Sequence, residues 1–221
     1  ALNMELIWCP PGSFIMGPYD NDNPAHPVIL TKGFYLGKYE VTQEEYEKVM
    51  GNNPSEFKGE KLPVETVSWN DAVVFCEALK KKERVPAGWK FILPSEAQWE
   101  YACRAGTTTN YSWGNEIKPK LANYRDSALE RTVEVGSYAP NPWGFFDMHG
   151  NVWEWCADWR DDYPSGSVTN PFVSKTGSVR VLRGGSWYND GALLRSRRRN
   201  AGTPNFRNSH AGFRVGFQSS K

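Results

Sequence analysis

The segment Asp147-Met-His-Gly-Asn-Val-Trp-Glu-Trp155 sets two hard carboxylates, Asp147 and Glu154, on either side of a turn containing Gly150 and Asn151. Carboxylate oxygens and backbone carbonyls in an irregular loop are what a calcium ion takes, although the spacing is not that of an EF-hand. The same spacing suits a purely structural alternative, in which Asp147 caps a turn and Glu154 pairs with an arginine. Asn123, Tyr124 and Asp126 make a second, weaker oxygen-rich loop. From Arg180 to Phe217 the chain carries eight arginines, Arg180, Arg183, Arg195, Arg197, Arg198, Arg199, Arg207 and Arg214, against the single acid Asp190. A nucleic-acid surface would interleave such cations with aromatic rings, and only Tyr188 and Phe206 are placed to do so. The expectation is therefore that these arginines brace loops by donating to carbonyls and carboxylates, with no nucleic-acid partner.

Other chemistry is thinly represented. Cys9, Cys76, Cys103 and Cys156 lie far apart without a Cys-x-x-Cys pair, which reads as buried free thiols with one or two disulfides as the alternative. His26, His149 and His210 are scattered, so a three-histidine metal site or a Cys/His nucleophile pair would have to be assembled by the fold. Nucleophile elbows, phosphate loops, His-Glu-x-x-His helices and dinucleotide fingerprints are all absent.

These residues need elements to hold them. Thr42 with Glu45 and Ser95 with Gln98 form capping boxes ahead of short helices that stop at Gly51 and Gly106, and Ser68 or Asn70 caps a third helix running to Lys80–Lys82. Short strands are expected at Glu5–Trp8, Ser13–Met16, Val28–Leu30, Phe34–Tyr39, Val181–Arg183 and Phe213–Phe217. Much of the remainder reads as ordered loop anchored by Trp99, Trp113, Trp143, Trp153, Trp155, Trp159 and Trp187, as core side chains or, alternatively, as a sugar-stacking surface. The 221 residues, with no repeat or composition break, read as one domain. A net charge of +1 gives no global field, and no apolar run reaches the roughly 20 residues of a membrane span. The chain opens on Ala1, so an upstream signal, anchor or domain stays open, and with it a cell-surface or extracellular location.

Blocks along nearly the whole chain carry a resemblance: Pro11–Gly17, Gly37–Gln43, Pro63–Trp69, Leu93–Ala102, Gly144–Trp155, Arg180–Trp187 and Gly212–Val215. In order and content they resemble the formylglycine-generating enzyme (sulfatase-modifying factor) family. The resemblance implies an α+β, loop-rich, C-type-lectin-like domain spanning residues 1–221 with bound structural calcium. By position, Asp147, Gly150, Val152 and Glu154 match one calcium loop of the family, and Asn123 with Tyr124 matches the start of the other. The family's enzymes use two cysteines shortly after Gly-Gly-Ser to bind copper and oxidise a substrate cysteine. Here those positions are Asn189 and Leu194, which cannot be thiolate ligands, so neither that activity nor copper is expected.

The 180–217 segment also resembles the variable region of diversity-generating retroelement proteins, which bind ligands on this fold. The frame reads Arg180–Trp187, Leu194–Ser196, Arg199, Pro204, Arg207–Asn208 and Gly212–Val215. The intervening positions are Tyr188, Asn189, Asp190, Ala192, Leu193, Arg197, Arg198, Ala201, Gly202, Thr203, Asn205, Phe206, Ser209, His210 and Ala211. Adenine-directed mutation of an AAC codon leaves codons ending in C, which never encode Lys, Glu, Gln, Met or Trp, and none of the five occurs from Tyr188 to Ala211. The resemblance implies a non-enzymatic ligand-binding protein whose intervening residues form the binding surface, with a protein as target and a small molecule or glycan as alternatives. The competing expectation is a cysteine-less accessory or sensor domain of the same family, or an enzyme of different chemistry.

Overall fold

The computed structural model describes residues 2, 4–18, 24–175 and 177–219. Its three helices begin where side chains can satisfy the orphan N–H groups of a first turn. In α1 (Gln43–Met50) the Thr42 hydroxyl accepts from Glu45 N at 3.3 Å while Glu45 Oε2 accepts from Thr42 N at 2.8 Å, and Gly51 ends the helix with φ of 82°. In α2 (Trp69–Lys82) Ser68, not Asn70, is the cap, closed by Asp71. In α3 (Glu96–Arg104) Ser95 and Gln98 close the box, and the left-handed stop falls on Ala105, one residue before the glycine expected to supply it.

Eleven strands assemble three sheets among the described residues. The first joins both ends of the chain: β1 (Leu6–Cys9), β4 (Phe34–Gly37), β11 (Gly216–Ser219) and β5 (Trp89–Ile92) pair in that order. The second runs β10 (Ala211–Gly212), β6 (Trp153–Trp159), β8 (Arg180–Arg183) and β9 (Arg199–Gly202), and the third β2 (Gly12–Met16), β3 (His26–Leu30) and β7 (Val168–Thr169).

The second sheet divides the core. Cys156 and Val181 face one apolar cluster with Phe34, Trp99 and Met148, whereas Trp155 and Leu182 face the other, with Tyr46, Phe75 and Phe213. Burial on both faces removes the alternation by which a strand is recognised, which is why β6 reads as tryptophan-anchored loop in the sequence. Strands β5, β7, β9 and β10 are also absent from the sequence expectation. The strand expected over Phe213–Phe217 begins only at Gly216. Ahead of it Phe213, Arg214 and Val215 are fully buried, and the carbonyls of Phe213 and Val215 accept from Val41 N and Gly37 N. All four cysteines are buried and free, in agreement with the thiol reading.

Candidate ligand-binding surface and its buried frame

Three arginines of the C-terminal segment, Arg183, Arg199 and Arg214, are buried, and their carboxylates come from α3 and β6. Arg183, fully buried, pairs with Glu100 and donates to the carbonyls of Arg198 at 2.6 Å and Ser196 at 3.0 Å. Arg199 forms a fork on Glu96 at 2.7 and 2.8 Å. Arg214 forms another on Glu154, both contacts at 2.6 Å, and reaches the carbonyls of Gly37 and Phe146 at 3.0 Å. Burial disfavours the charge on Arg183, but Glu100 beside it more than restores it, leaving its pKa above the usual value. Arg180 lies between the rings of Trp69 and Trp159, at 3.7 and 3.5 Å from their centroids. Glu96 and Glu100 are one turn apart on α3, so a single helix face holds both β8 and β9, and through Arg183 the 196–198 turn.

Between these anchors the expected ligand-contacting residues separate into groups. Tyr188, Asp190, Ala192, Thr203, Asn205 and Phe206 are exposed, and Leu193, Arg197, Arg198, Ala201, Ser209 and His210 are half-buried. Tyr188, 61% exposed, stacks near-parallel to His210 at 6.1 Å, and the Phe206 ring lies 6.4 Å from His210. The strip continues through Trp187 to Phe57, outside the segment, at 5.5 Å. Three positions are committed to the fold. Ala211 is fully buried opposite Trp153 in the sheet, which removes it from any contact surface. Asn189 accepts from the Ser186 hydroxyl at 2.7 Å, and its own N–H donates to Ser186 O. A Cβ on Gly202 would meet Trp155 at 2.8 Å. The sequence reading missed Asn200, an exposed residue that lines a recess of about 200 Å³ with Arg160, Arg198 and Ala201. It also missed Asn70 and Asn110, which hold Asn205 and Arg197 by side-chain hydrogen bonds of 2.7 Å. These supports come from distant segments, so no local pattern announces them.

The two oxygen-rich loops meet: Asn151 N donates to Asn123 O at 2.9 Å, and a Cβ on Gly150 would lie 2.3 Å from the same carbonyl. Glu154 takes the arginine-paired role, its carboxylate filled by Arg214 and by Trp99 Nε1 at 2.7 Å. Asn123 is engaged with Arg131 O, Asn151 and Ser127, and Tyr124 O accepts from Ser127. Asp147, at φ of 57°, accepts from Gly136 N at 2.6 Å, and burial raises its pKa to about 6. Burial and then the carboxylates of Asp147 and Glu154 also raise the pKa of Glu40, which accepts from Asn151 and Val152 N. Three buried carboxylates, Glu40, Asp147 and Glu154, thus face one arginine, Arg214. No three His, Cys, Asp or Glu side chains are grouped to hold a metal among the described residues.

The profile of the sulfatase-modifying factor enzyme 1-like domain matches residues 2–218. The chain belongs to that family. The solved structure of Treponema denticola variable protein 1 superposes with a TM-score of 0.89 at 31% identity, covering 96% of this chain and 94% of that one. PvdO from Pseudomonas aeruginosa gives 0.82 at 30% identity, again with 96% and 94% coverage. The formylglycine-generating enzyme of Mus musculus is 27% identical over 95% of this chain and 74% of its own length. The α+β, C-type-lectin-like fold is therefore shown, together with the likeness of the chain as a whole to a variable protein.

Within this family frame, Leu194 is fully buried against Tyr111, Ala122 and Tyr124. Its carbonyl hydrogen-bonds His149 Nδ1 at 2.7 Å, and His149 Nε2 accepts from Ser112 N at 3.1 Å. The fold does assemble a cysteine–histidine contact, Cys103 Sγ to His149 Nε2 at 3.6 Å. Burial pushes the Cys103 thiol up to about 12 and His149 down to about 4, so both stay neutral and the pair lacks the thiolate of a nucleophile.

Proposed function

We propose that this family member is a non-enzymatic ligand-binding domain that presents the exposed residues between Tyr188 and His210 to a protein partner. The observation that carries this reading is the division of one segment into two populations. Frame residues Arg183–Ser186, Leu194, Ser196, Arg199 and Gly212–Val215 are buried, while most intervening side chains reach solvent. The exposed side chains of Tyr188, Asp190, Ala192, Thr203, Asn205 and Phe206 can change without removing a buried contact, so affinity can vary while the platform stands. Tyr188, Phe206, His210, Arg197 and Arg198 supply the aromatic and guanidinium groups that dominate protein interfaces. Asn189 and Leu194 at the two thiol positions argue against copper-dependent thiol oxidation, and likeness to a variable protein at 31% identity supports display.

We also propose a structural calcium ion at Asp147 and the backbone of Gly150 and Val152, beside Glu40. Deep sequencing of the encoding locus in a clonal population tests the display reading. Diversity confined to the intervening positions, with the frame constant, is the expected result; a segment that is invariant, or that varies equally at Arg183 and Tyr188, would overturn it.

A further inference from the structure

Two half-buried rings beside Tyr188, those of Phe57 and Trp187, are held in place by groups outside the intervening positions or by backbone alone. Buried Gln43 donates from Nε2 to Phe57 O at 2.7 Å, and buried Glu65 accepts from Phe57 N at 2.9 Å through Oε1. Trp187 donates from Nε1 to Ser209 O at 3.1 Å and from its backbone N to Asn151 O at 2.9 Å. The two rings meet edge to face at 5.5 Å, and Trp187 meets Tyr188 in the same way at 5.6 Å. A partner that covers Tyr188 therefore reaches a ring pair whose position does not depend on the side chains exchanged between 188 and 211.

The far end of this strip carries a cation. Arg131 is exposed, with its guanidinium 5.6 Å from the Phe57 centroid, and among the described residues no carboxylate pairs with it, neither Glu130 nor Glu134 included. Glu56 and Lys58, which flank Phe57 in sequence, are exposed and opposite in sign, and Arg207 and Arg125 are already paired with Asp71 and Asp190. A guanidinium resting near a ring keeps its planar fork of donors available for a carboxylate, and a half-exposed ring pair takes a third ring edge to face.

We propose that Phe57, Trp187 and Arg131 form a constant anchor of the binding surface, which takes an aromatic side chain of the partner against the two rings and a neighbouring partner carboxylate on the guanidinium. The anchor rests on the display reading for the surface to which it belongs. The probes are acetyl-Trp-Asp-amide, its neutral isostere acetyl-Trp-Asn-amide and the non-aromatic acetyl-Leu-Asp-amide, each titrated into the native protein and followed by amide and indole NMR shifts. Saturable binding of the first is expected, with shifts at the Trp187 indole and the Phe57 amide. The Asn peptide should bind about threefold more weakly, the size of one exposed ion pair, and the Leu peptide about tenfold. Arg131→Gln should make the Asp and Asn peptides equal, whereas Tyr188→Ser with Phe206→Ser should keep the preference for Asp. No saturable binding, equal wild-type affinity for the Asp and Asn peptides, a preference that survives Arg131→Gln, or one lost in the Tyr188/Phe206 variant would each overturn the anchor. An invariant encoding locus would remove the display reading and leave these titrations unchanged, so the two fail separately.

Discussion

Glu100→Gln is the sharpest test of the buried frame. Glu100 is fully buried, with Oε2 on Arg183 and Oε1 accepting from Arg104 Nε at 2.8 Å and Gly17 N at 3.0 Å. Glutamine keeps the shape and one acceptor oxygen but removes the charge that neutralises Arg183. That guanidinium keeps two carbonyls and a more distant carboxylate, Glu96 at 3.6 Å, already shared with Arg199. Breaking a buried pair from one side costs about 3–5 kcal/mol, and the residual Glu96 contact places this case near 3 kcal/mol. At about 2–4 °C per kcal/mol for a chain of this size, the melting temperature should fall by roughly 6–12 °C. Guanidinium unfolding, followed by tryptophan fluorescence, gives the free energy directly. A second variant, Arg183→Met with Glu100→Gln, should recover part of the loss, because the fully buried Arg183 cation is removed with its partner and only Arg104, which keeps the carbonyls of Gly17 and Thr109, is left without the carboxylate. A single-variant loss below about 1 kcal/mol, or a double variant equal to the sum of the singles, would refute the claim that this pair ties β8 to α3.

Replacing Tyr188, Asn205, Phe206 and His210 together by serine should cost less than Glu100→Gln alone, about 2 kcal/mol or under in the same unfolding assay, since little buried area is lost. Burial pushes the Asp158 carboxyl up to about 7 from an ordinary 3.8, with Glu96 repulsion adding to it, so the folded chain holds a proton the unfolded chain has released between those values. Stability therefore falls as pH rises through 7, and wild type should gain about 1 kcal/mol more than Asp158→Asn on going from pH 8 to 6, measured by urea midpoint. All four cysteines are buried, and burial raises every thiol pKa, so native protein should show no fast reaction with Ellman's reagent and four reactive thiols in guanidinium. Millimolar calcium should raise the melting temperature above that in EGTA, and Asp147→Ala should abolish the difference; identical melting curves for the wild type would remove the calcium assignment.

Local chemistry made parts of this protein legible. The capping boxes at Thr42, Ser68 and Ser95 lie within four residues of sequence, so the helix starts follow from side-chain reach alone. The bracing role of the arginines was legible too, from eight cations facing one local acid. Their partners were not: Glu96, Glu100 and Glu154 lie 103, 83 and 60 residues from Arg199, Arg183 and Arg214. Strand β6 was hidden because both its faces are buried, and Asn189, Gly202 and Ala211 read as surface positions because their constraints, a turn hydrogen bond, the Trp155 ring and a sheet partner, are tertiary.

The same long-range pairing explains how this segment can combine a fixed backbone with changeable side chains. A hydrophobic anchor would hold the segment through volume, and neighbouring substitutions would disturb its packing. Arg183, Arg199 and Arg214 instead hold it by directed forks and carbonyl contacts that reach past their neighbours to α3, β6 and the 37–38 turn. The side chains of Tyr188, Asp190, Asn205 and Phe206 take no part in those bonds. The energy that fixes the loop is therefore separated from the atoms that would meet a partner, which is the physical condition for exchanging one without losing the other.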